Sequence, residues 1–301
     1  MKTRIISGAV LIAIISAFLV LGKTVSPFFL TAFIVIACVI GAYELVKNAA
    51  GITQKAAFIG SCVYSGLMII LRDDTLTKLI YNCYNEHFST SFYAEKWGLK
   101  YSILDFLANY WSFFPFVLTV FYFVFCVVMI LKLHKDFSLA KIAVFCAMPI
   151  LLTYAFSTLG SIINSRDGIY YLLLLLNFSA ICDTGAYFVG VTCGKHKLCP
   201  EISPKKTVEG ALGGILSSIV VGLILIFSFG RVEHLIATLI LTIPLCILGM
   251  LGDLFASAIK RSVGLKDYGA LIPGHGGVLD RVDSILMIAP VLYIFICFGV
   301  I

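Results

Sequence analysis

Residues 234–251 read HLIATLILTIPLCILGML and run directly into residues 252–284, GDLFASAIKRSVGLKDYGALIPGHGGVLDRVDS. The first part carries no Asp, Glu, Lys or Arg and is close to the ~20 residues a helix needs to cross a bilayer. The second holds Asp253, Asp267, Asp280 and Asp283 beside Lys260, Arg261, Lys266 and Arg281, with His275 among glycines, before the chain turns apolar again at 284–300. A plain connector needs a few polar residues and some turn chemistry. Charge this dense between two apolar runs marks a site held at a membrane surface.

Working outward, further apolar windows lie near 5–22, 27–46, 56–71, 112–131, 139–157, 168–191 and 210–229. Backbone amides in hydrocarbon must be paired within their own segment, and these runs are too long for barrel strands, so each is expected to be a helix. The fold expected is an all-α polytopic membrane protein with about nine transmembrane helices. Composition agrees: of 301 residues 60% are hydrophobic and only 13% charged, against roughly 25% charged in soluble proteins. Lys2 and Arg4 followed by an apolar run to Gly22 have the outline of a signal peptide. The run is longer than a usual h-region and lacks an A-x-A site, so a retained first span is expected. The ten cysteines are scattered, many within apolar runs, which suits small buried hydrophobes and not a disulfide framework. Cys193 and Cys199 flank a Lys/His segment without a second pair of metal-ligand spacing, so incidental roles are expected for them.

Placing the N-terminus in the cytoplasm puts about two thirds of the 22 Lys and Arg side chains on the inner side, as topology rules favour, and leaves the C-terminus outside. Residues 1–165 then form an N-terminal transmembrane region of about five helices with an outer loop at 72–111. A surface-lying helix is plausible at 101–111, although a solvated connector explains that loop as well. Residues 166–301 form a second transmembrane region, and its two loops richest in polar chemistry, 192–209 and 252–283, fall together on the cytoplasmic side.

Acids inside spans are costly unless paired or wet. Asp183, with Thr184, Tyr187 and glycines around it, is therefore a site candidate. Glu44 lies near a span end, where reaching the interface explains it equally well. In GKHKLCPEISPKKTVEG, residues 194–210, Gly190 to Lys195 is one residue short of a phosphate-binding loop and has His196 where Ser or Thr would be required. Lys195 and Lys197 are explained equally by positive-inside charge. Ser203 as N-cap and Pro204 as first helical residue would aim free amides, with Lys205 and Lys206, at an anion. If helix continues through 252–263, then Asp253, Ser257, Lys260 and Arg261 share one face, and Phe255, Ile259 and Val263 share another that could pack. Asp280 and Asp283 fall on one face where the last helix begins. Asp283 can equally be an acidic helix start. Carboxylates from two segments suit Mg²⁺, an oxygen-seeking ion that keeps water for a phosphate. The Pro273-Gly274-His275-Gly276-Gly277 turn permits close backbone approach, with His275 a donor to phosphate or a proton carrier.

The run Ser257-x-x-Lys260-Arg261, Lys266-Asp267-x-Gly269, Ile272-Pro273-x-His275-Gly276-Gly277-Val278-x-Asp280-Arg281-Val282-Asp283 resembles the signature of the phosphatidate cytidylyltransferase (CDP-diacylglycerol synthase) family. Asp183-Thr-Gly-Ala-Tyr and Ser203-Pro-Lys-Lys-Thr-Val-Glu-Gly are similar to that family's runs too, so the likeness covers roughly residues 180–284. Ala256 departs from it, since the family often has an acid there.

The resemblance implies CTP + phosphatidate → CDP-diacylglycerol + diphosphate, in phospholipid biosynthesis at the cytoplasmic side of a cell membrane. It implies Mg²⁺, with K⁺ as an optional second ion, on Asp253 and Asp280. Lys205, Lys206, Lys260, Arg261, His275 and Asp283 are the expected catalytic set. Asp183, Ser203, Thr207, Glu209, Ser257, Lys266, Gly276, Gly277 and Arg281 are expected to bind substrate. CTP, the phosphatidate lipid and the bilayer are the expected partners; a homodimer is compatible, and nucleic acid is not expected. Two rivals stay open: a CTP-dependent lipid kinase or ether-lipid cytidylyltransferase, and, from another class, an ion-coupled transporter using Asp183 and Glu44.

Overall fold

The structure, a computed structural model, describes residues 2–24, 26–73, 113–132, 138–272 and 276–301. Most of the expected outer loop at 72–111, read either as a solvated connector or as carrying a surface helix at 101–111, lies outside these residues, as does His275.

The helices are α1 (Lys2–Thr24), α2 (Pro27–Tyr43), α3 (Lys55–Arg72), α4 (Phe114–Lys132), α5 (Leu139–Asn164), α6 (Gly168–Leu176), α7 (Cys182–Cys193), α8 (Val208–Ser228), α9 (Leu235–Ser262) and α10 (Leu279–Cys297). A π-helical turn, Glu44–Ala49, prolongs α2, and another, Asn177–Ile181, joins α6 to α7 into one continuous rod. Among the described residues seven helical rods are long and apolar enough to cross a membrane, and Ala13–Gly22 of α1 is a shorter apolar stretch. α10 matches them in length but carries Asp280, Arg281 and Asp283 in its first turns. The all-α expectation needs one correction: Lys197–Cys199 (β1) and Ser203–Thr207 (β2) pair as an antiparallel hairpin, with Lys197 opposite Thr207 and Cys199 opposite Ser203.

Contacts divide the chain into two compact units, Val10–Thr153 and Tyr154–Ile301 together with Met1–Ala9. In the first, Ser26 caps α2, its Oγ accepting from Phe28 N at 3.4 Å, and Pro27 begins the helix without a wasted amide. Buried hydroxyls tie its helices together: Tyr122 donates to Phe145 O at 2.8 Å, its OH lies 3.0 Å from Ser61 Oγ, and its ring stacks on Tyr64. Glu44 is buried at the start of its π turn, not extended to the surface.

In the second unit Leu174, Phe178, Cys182, Leu245, Cys246, Ile288 and Leu292 form a shared core. Asn177, at the π turn, donates to Ser218 O at 3.0 Å while Ser218 Oγ donates to Asn177 O at 3.1 Å, a reciprocal pair between α8 and the turn. Arg231 and Asp167 pair at 2.5 Å between the α8–α9 and α5–α6 connections.

α7 and α8 approach to backbone distance. A Cβ on Gly214 would stand 2.6 Å from Cys182 O, one on Gly210 would stand 2.6 Å from Ala186 O, and one on Gly213 would overlap the Val189 side chain. Small residues permit such approach where no hydrophobic force drives helices together. We therefore expect Gly214→Val to cost about 1–3 kcal/mol by overpacking and to lower the melting temperature of the detergent-solubilised protein. At Gly222 a Cβ meets only Asn177 Nδ2 at 3.4 Å, so Gly222→Ala should melt no lower than the unsubstituted chain.

Candidate functional site

Residues 194–210 start the site, and here sequence reasoning misplaced the helix. Ser203 is not its N-cap and Pro204 is not its first residue: both lie in β2. Proline's fixed φ is compatible with an extended edge strand, where its missing N–H is tolerated. The cap is Thr207, whose Oγ1 accepts from Gly210 N at 3.1 Å. Glu209 in the first turn reaches back to close the hairpin, accepting from Lys195 N at 3.0 Å and from His196 N at 3.2 Å, with His196 Nδ1 2.6 Å away. Thr207 and Glu209 thus hold the hairpin to α8. Strand alternation then sends Lys205 and Lys206 to opposite sides: Lys205 is exposed, and Lys206 reaches Asp253 of α9, Nζ to Oδ2 2.6 Å.

The helix after the apolar run does continue, to Ser262, so 252–283 is helix for its first third and not loop throughout. Asp253 and Ser257 stand one turn apart, Ser257 Oγ pointing to Asp253 Oδ1 at 3.5 Å. Lys260, on the same side, is buried. Arg261 is exposed and donates to Leu265 O at 3.1 Å. Phe255, expected on a packing face, is 48% exposed. It faces outward beside the lipid-length part of its helix, where an apolar side chain is at no disadvantage.

Asp280 organises the segment between α9 and α10. Its Oδ1 accepts from Lys260 Nζ at 2.8 Å; its Oδ2 accepts from Tyr268 N at 2.8 Å and Gly277 N at 3.0 Å. The carboxylate is 2% exposed, and a charge so buried is tolerated because it is paired and hydrogen-bonded. Tyr268, 1% exposed, donates its hydroxyl to Ala256 O at 3.0 Å and lies under the Lys260 ammonium, 5.1 Å from ring centre to Nζ. Burial first, then the nearby Asp280 and Asp283 charges, push the Tyr268 phenol up, so its hydroxyl remains a donor. Gly276 has φ +87°, and a Cβ there would stand 3.0 Å from Asp280 Oδ2. Glycine is required on both counts.

These two arrangements meet. Asp253 interacts electrostatically with Asp183 of α7 and with Asp283 of α10, Lys206 with Asp183, and Lys260 and Asp280 with Asp283. Asp183, Lys206, Asp253, Lys260, Asp280 and Asp283 are therefore gathered at one end of the unit. Lys205, Lys266 and Arg281 are exposed around it, and Ser203 is a half-buried strand residue. Tyr268 was missed as a participant, because a tyrosine between polar residues has no sequence mark separating a pillar from a surface ring. The Lys206–Asp253 pair was missed because its members are far apart in the chain.

The donors offered by the acids are all oxygen, as a hard dication prefers. Among the described residues no group of three or more His, Cys, Asp or Glu could hold a metal alone. A magnesium-like ion held by so few acids would have to complete its shell from water and substrate phosphate. In this structure Lys206 neutralises Asp253 and Lys260 neutralises Asp280.

A model described as the cytidylyltransferase family matches residues 2–298. The phosphatidate cytidylyltransferase of Staphylococcus haemolyticus (strain JCSC1435) is 45% identical over 130 residues, 43% of this chain and 50% of that protein. That of Staphylococcus saprophyticus is 42% identical over 157 residues, 51% of this chain and 59% of that protein. That of Staphylococcus aureus (strain COL) is 39% identical over 157 residues. The chain spans about half the length of the curated relatives it matches.

Removing the Asp280 carboxylate should free the Tyr268 and Gly277 amides and strand the Lys260 charge, a loss of about 3–5 kcal/mol for a broken buried pair. Hydrogen exchange on Asp280→Ala should show protection lost at the Tyr268 and Gly277 amides. Lys260→Met combined with Asp280→Asn should be less destabilised than Asp280→Asn alone. Equal destabilisation would show that the pair is not the organising contact.

Proposed function

Because this chain belongs to the cytidylyltransferase family, we propose that it transfers the cytidylyl group of CTP to phosphatidate, giving CDP-diacylglycerol and diphosphate. The observation that carries this reading is the convergence of Asp183, Lys206, Asp253, Lys260, Asp280 and Asp283 at one end of a unit of membrane-length helices. The relatives' shared name supplies the substrates. A phosphate oxygen of the lipid attacks the α-phosphorus, forming one P–O bond. The bond from that phosphorus to the bridging oxygen of the β-phosphate breaks, and diphosphate leaves with the electron pair. The attacking phosphate is already an anion near neutral pH, so the protein's task is positioning and charge stabilisation.

Lys206 meets the triphosphate and the departing diphosphate, and Lys205, exposed on the other side of the strand, adds positive charge to the approach. Lys260 holds Asp280, which in turn holds the backbone amides of Tyr268 and Gly277. Arg261, Lys266 and Arg281, exposed around the rim, offset charge on incoming anions, with His275 and the amides of Gly276 and Gly277 on the same segment. Asp183, Ser203, Thr207, Glu209 and Ser257 bind substrate or hold the elements that do. Asp253, helped by Asp283, would hold Mg²⁺, with K⁺ as an optional companion; Asp280, which the resemblance assigns to the same ion, would join it by giving up the Lys260 ammonium. When bound, this ion neutralises polyphosphate charge that would otherwise repel the lipid phosphate. Around this site we infer nine membrane crossings with the N-terminus in the cytoplasm and the C-terminus outside. The reaction centre then lies at the cytoplasmic interface of a cell membrane, where acyl chains remain in lipid while CTP arrives from water.

Labelled CTP incubated with phosphatidate and Mg²⁺ should yield CDP-lipid and diphosphate in equal amounts. Release of CDP with a phosphorylated lipid would mark a kinase instead, and ion-coupled uptake in sealed vesicles without CDP-lipid would mark a transporter. Asp253→Asn should lower CDP-lipid formation about 100-fold or more, as expected when a group that stabilises transition-state charge is lost. Near-full synthesis by Asp280→Asn would remove Asp280 from the cation site.

A further inference from the structure

Two lysines face carboxylates in the second unit, and they are held in different ways. Lys260 makes a directed hydrogen bond to Asp280, with side chains only 10% and 2% exposed. Lys206 lies 2.6 Å from Asp253 Oδ2, with the two side chains 23% and 31% exposed. Its ammonium nitrogen is shielded from solvent, yet no acceptor among the described residues stands in a hydrogen-bonding direction from it. The contact is a close charge pair, and Asp183 adds to the negative field on the same ammonium. Asp253 is met on its other oxygen by Ser257 Oγ at 3.5 Å. With both side chains partly exposed, this pair is less enclosed than Lys260–Asp280 and is the easier of the two to exchange. A dication interacts with the same oxygen twice as strongly for its charge, and a polyphosphate offers the ammonium several better acceptors.

We propose that Lys206 is an exchangeable counter-ion of Asp253. It neutralises the carboxylate while no divalent cation is bound. When Asp253 takes up the cation, the ammonium is released to the polyphosphate. The inference rests on the reading of Asp253 as a cation ligand. The placement of Lys206 serves the exchange. It lies one residue before the Thr207 cap and on a hairpin closed by Glu209, so its backbone is fixed while a long side chain swings between the two anions. One consequence is reciprocal coupling: displacement of Lys206 by the cation makes it available to nucleotide, and nucleotide that captures Lys206 clears Asp253 for the cation.

Mn²⁺ binding to the full chain in detergent, followed by the loss of the free Mn²⁺ resonance, tests the exchange. Without nucleotide, Lys206→Met should bind Mn²⁺ about tenfold more tightly than the unsubstituted protein, because the competing charge is gone. At saturating Mn²⁺ the same variant should bind CTP about tenfold more weakly by equilibrium dialysis, since the ammonium is no longer there to be delivered. Lys206→Gln should behave likewise and serves if the methionine variant elutes as aggregate. Lys205→Met, which removes an exposed charge of the same strand, should shift Mn²⁺ affinity by no more than about twofold. Unchanged or weaker Mn²⁺ binding in the Lys206 variants overturns the exchange, as does an equal shift in Lys205→Met. Asp253→Asn separates the two ideas. Loss of saturable Mn²⁺ binding in that variant supports the cation ligand by itself, so that an unaffected Lys206 variant then refutes only the exchange. Full Mn²⁺ binding by Asp253→Asn refutes both.

Discussion

The close approach of α7 and α8 is the constraint on which the second unit depends. Gly210, Gly213 and Gly214 on one helix meet Ala186 O, Val189 and Cys182 O on the other with no room for a methyl group. In hydrocarbon, helices gain little from hiding apolar surface from one another, so dispersion contacts at short range do the holding. Everything polar follows from this contact. Asp183 rides on α7, Thr207 and Glu209 begin α8, and the hairpin between them places Lys206 against α9. Were the two helices to part by the width of a side chain, Lys206 would no longer reach Asp253.

Two acids that look alike in sequence have opposite environments. Asp280 is enclosed and accepts from three donors, so its charge serves the shape of the segment around it. Asp253 borders solvent and is held loosely, so its charge is open to an incoming ion. A site that must bind and release a highly charged molecule needs both kinds. One fixes the frame, and the other changes partners within it.

Much of this was legible from residues alone. The apolar runs located most of the helices to within a few residues, because hydrocarbon leaves the backbone few alternatives, while α5 and α9 run on past theirs to Asn164 and Ser262. The i, i+4, i+7 spacing of Asp253, Ser257 and Lys260 is realised by a helix that outlasts its apolar stretch. Asp280 and Asp283 do share the start of the last helix. Other features needed the tertiary structure. Ser203-Pro204 carries a helix-start pattern, but pairing with Lys197–Cys199 overrode it and moved the start to Thr207. Pairing between strands is a non-local gain, invisible in a window of neighbours. Tyr268 gave no signal because its role comes from what closes over it, and Phe255 misled because an exposed ring and a core ring look the same in sequence.

The π turn at Asn177–Ile181 has a consequence for the rod formed by α6 and α7. An α-helix advances about 100° per residue, and a π turn widens the spiral so that the residues before and after it are out of step. The periodicity of 168–176 therefore does not carry through to 182–193. Asp183 takes its bearing from the second half alone, anchored by Asn177 and Ser218. The rod behaves as two short screws joined by a phase shift. Deleting one residue from the joint would leave its hydrophobicity and length almost untouched while turning the acid away from Lys206.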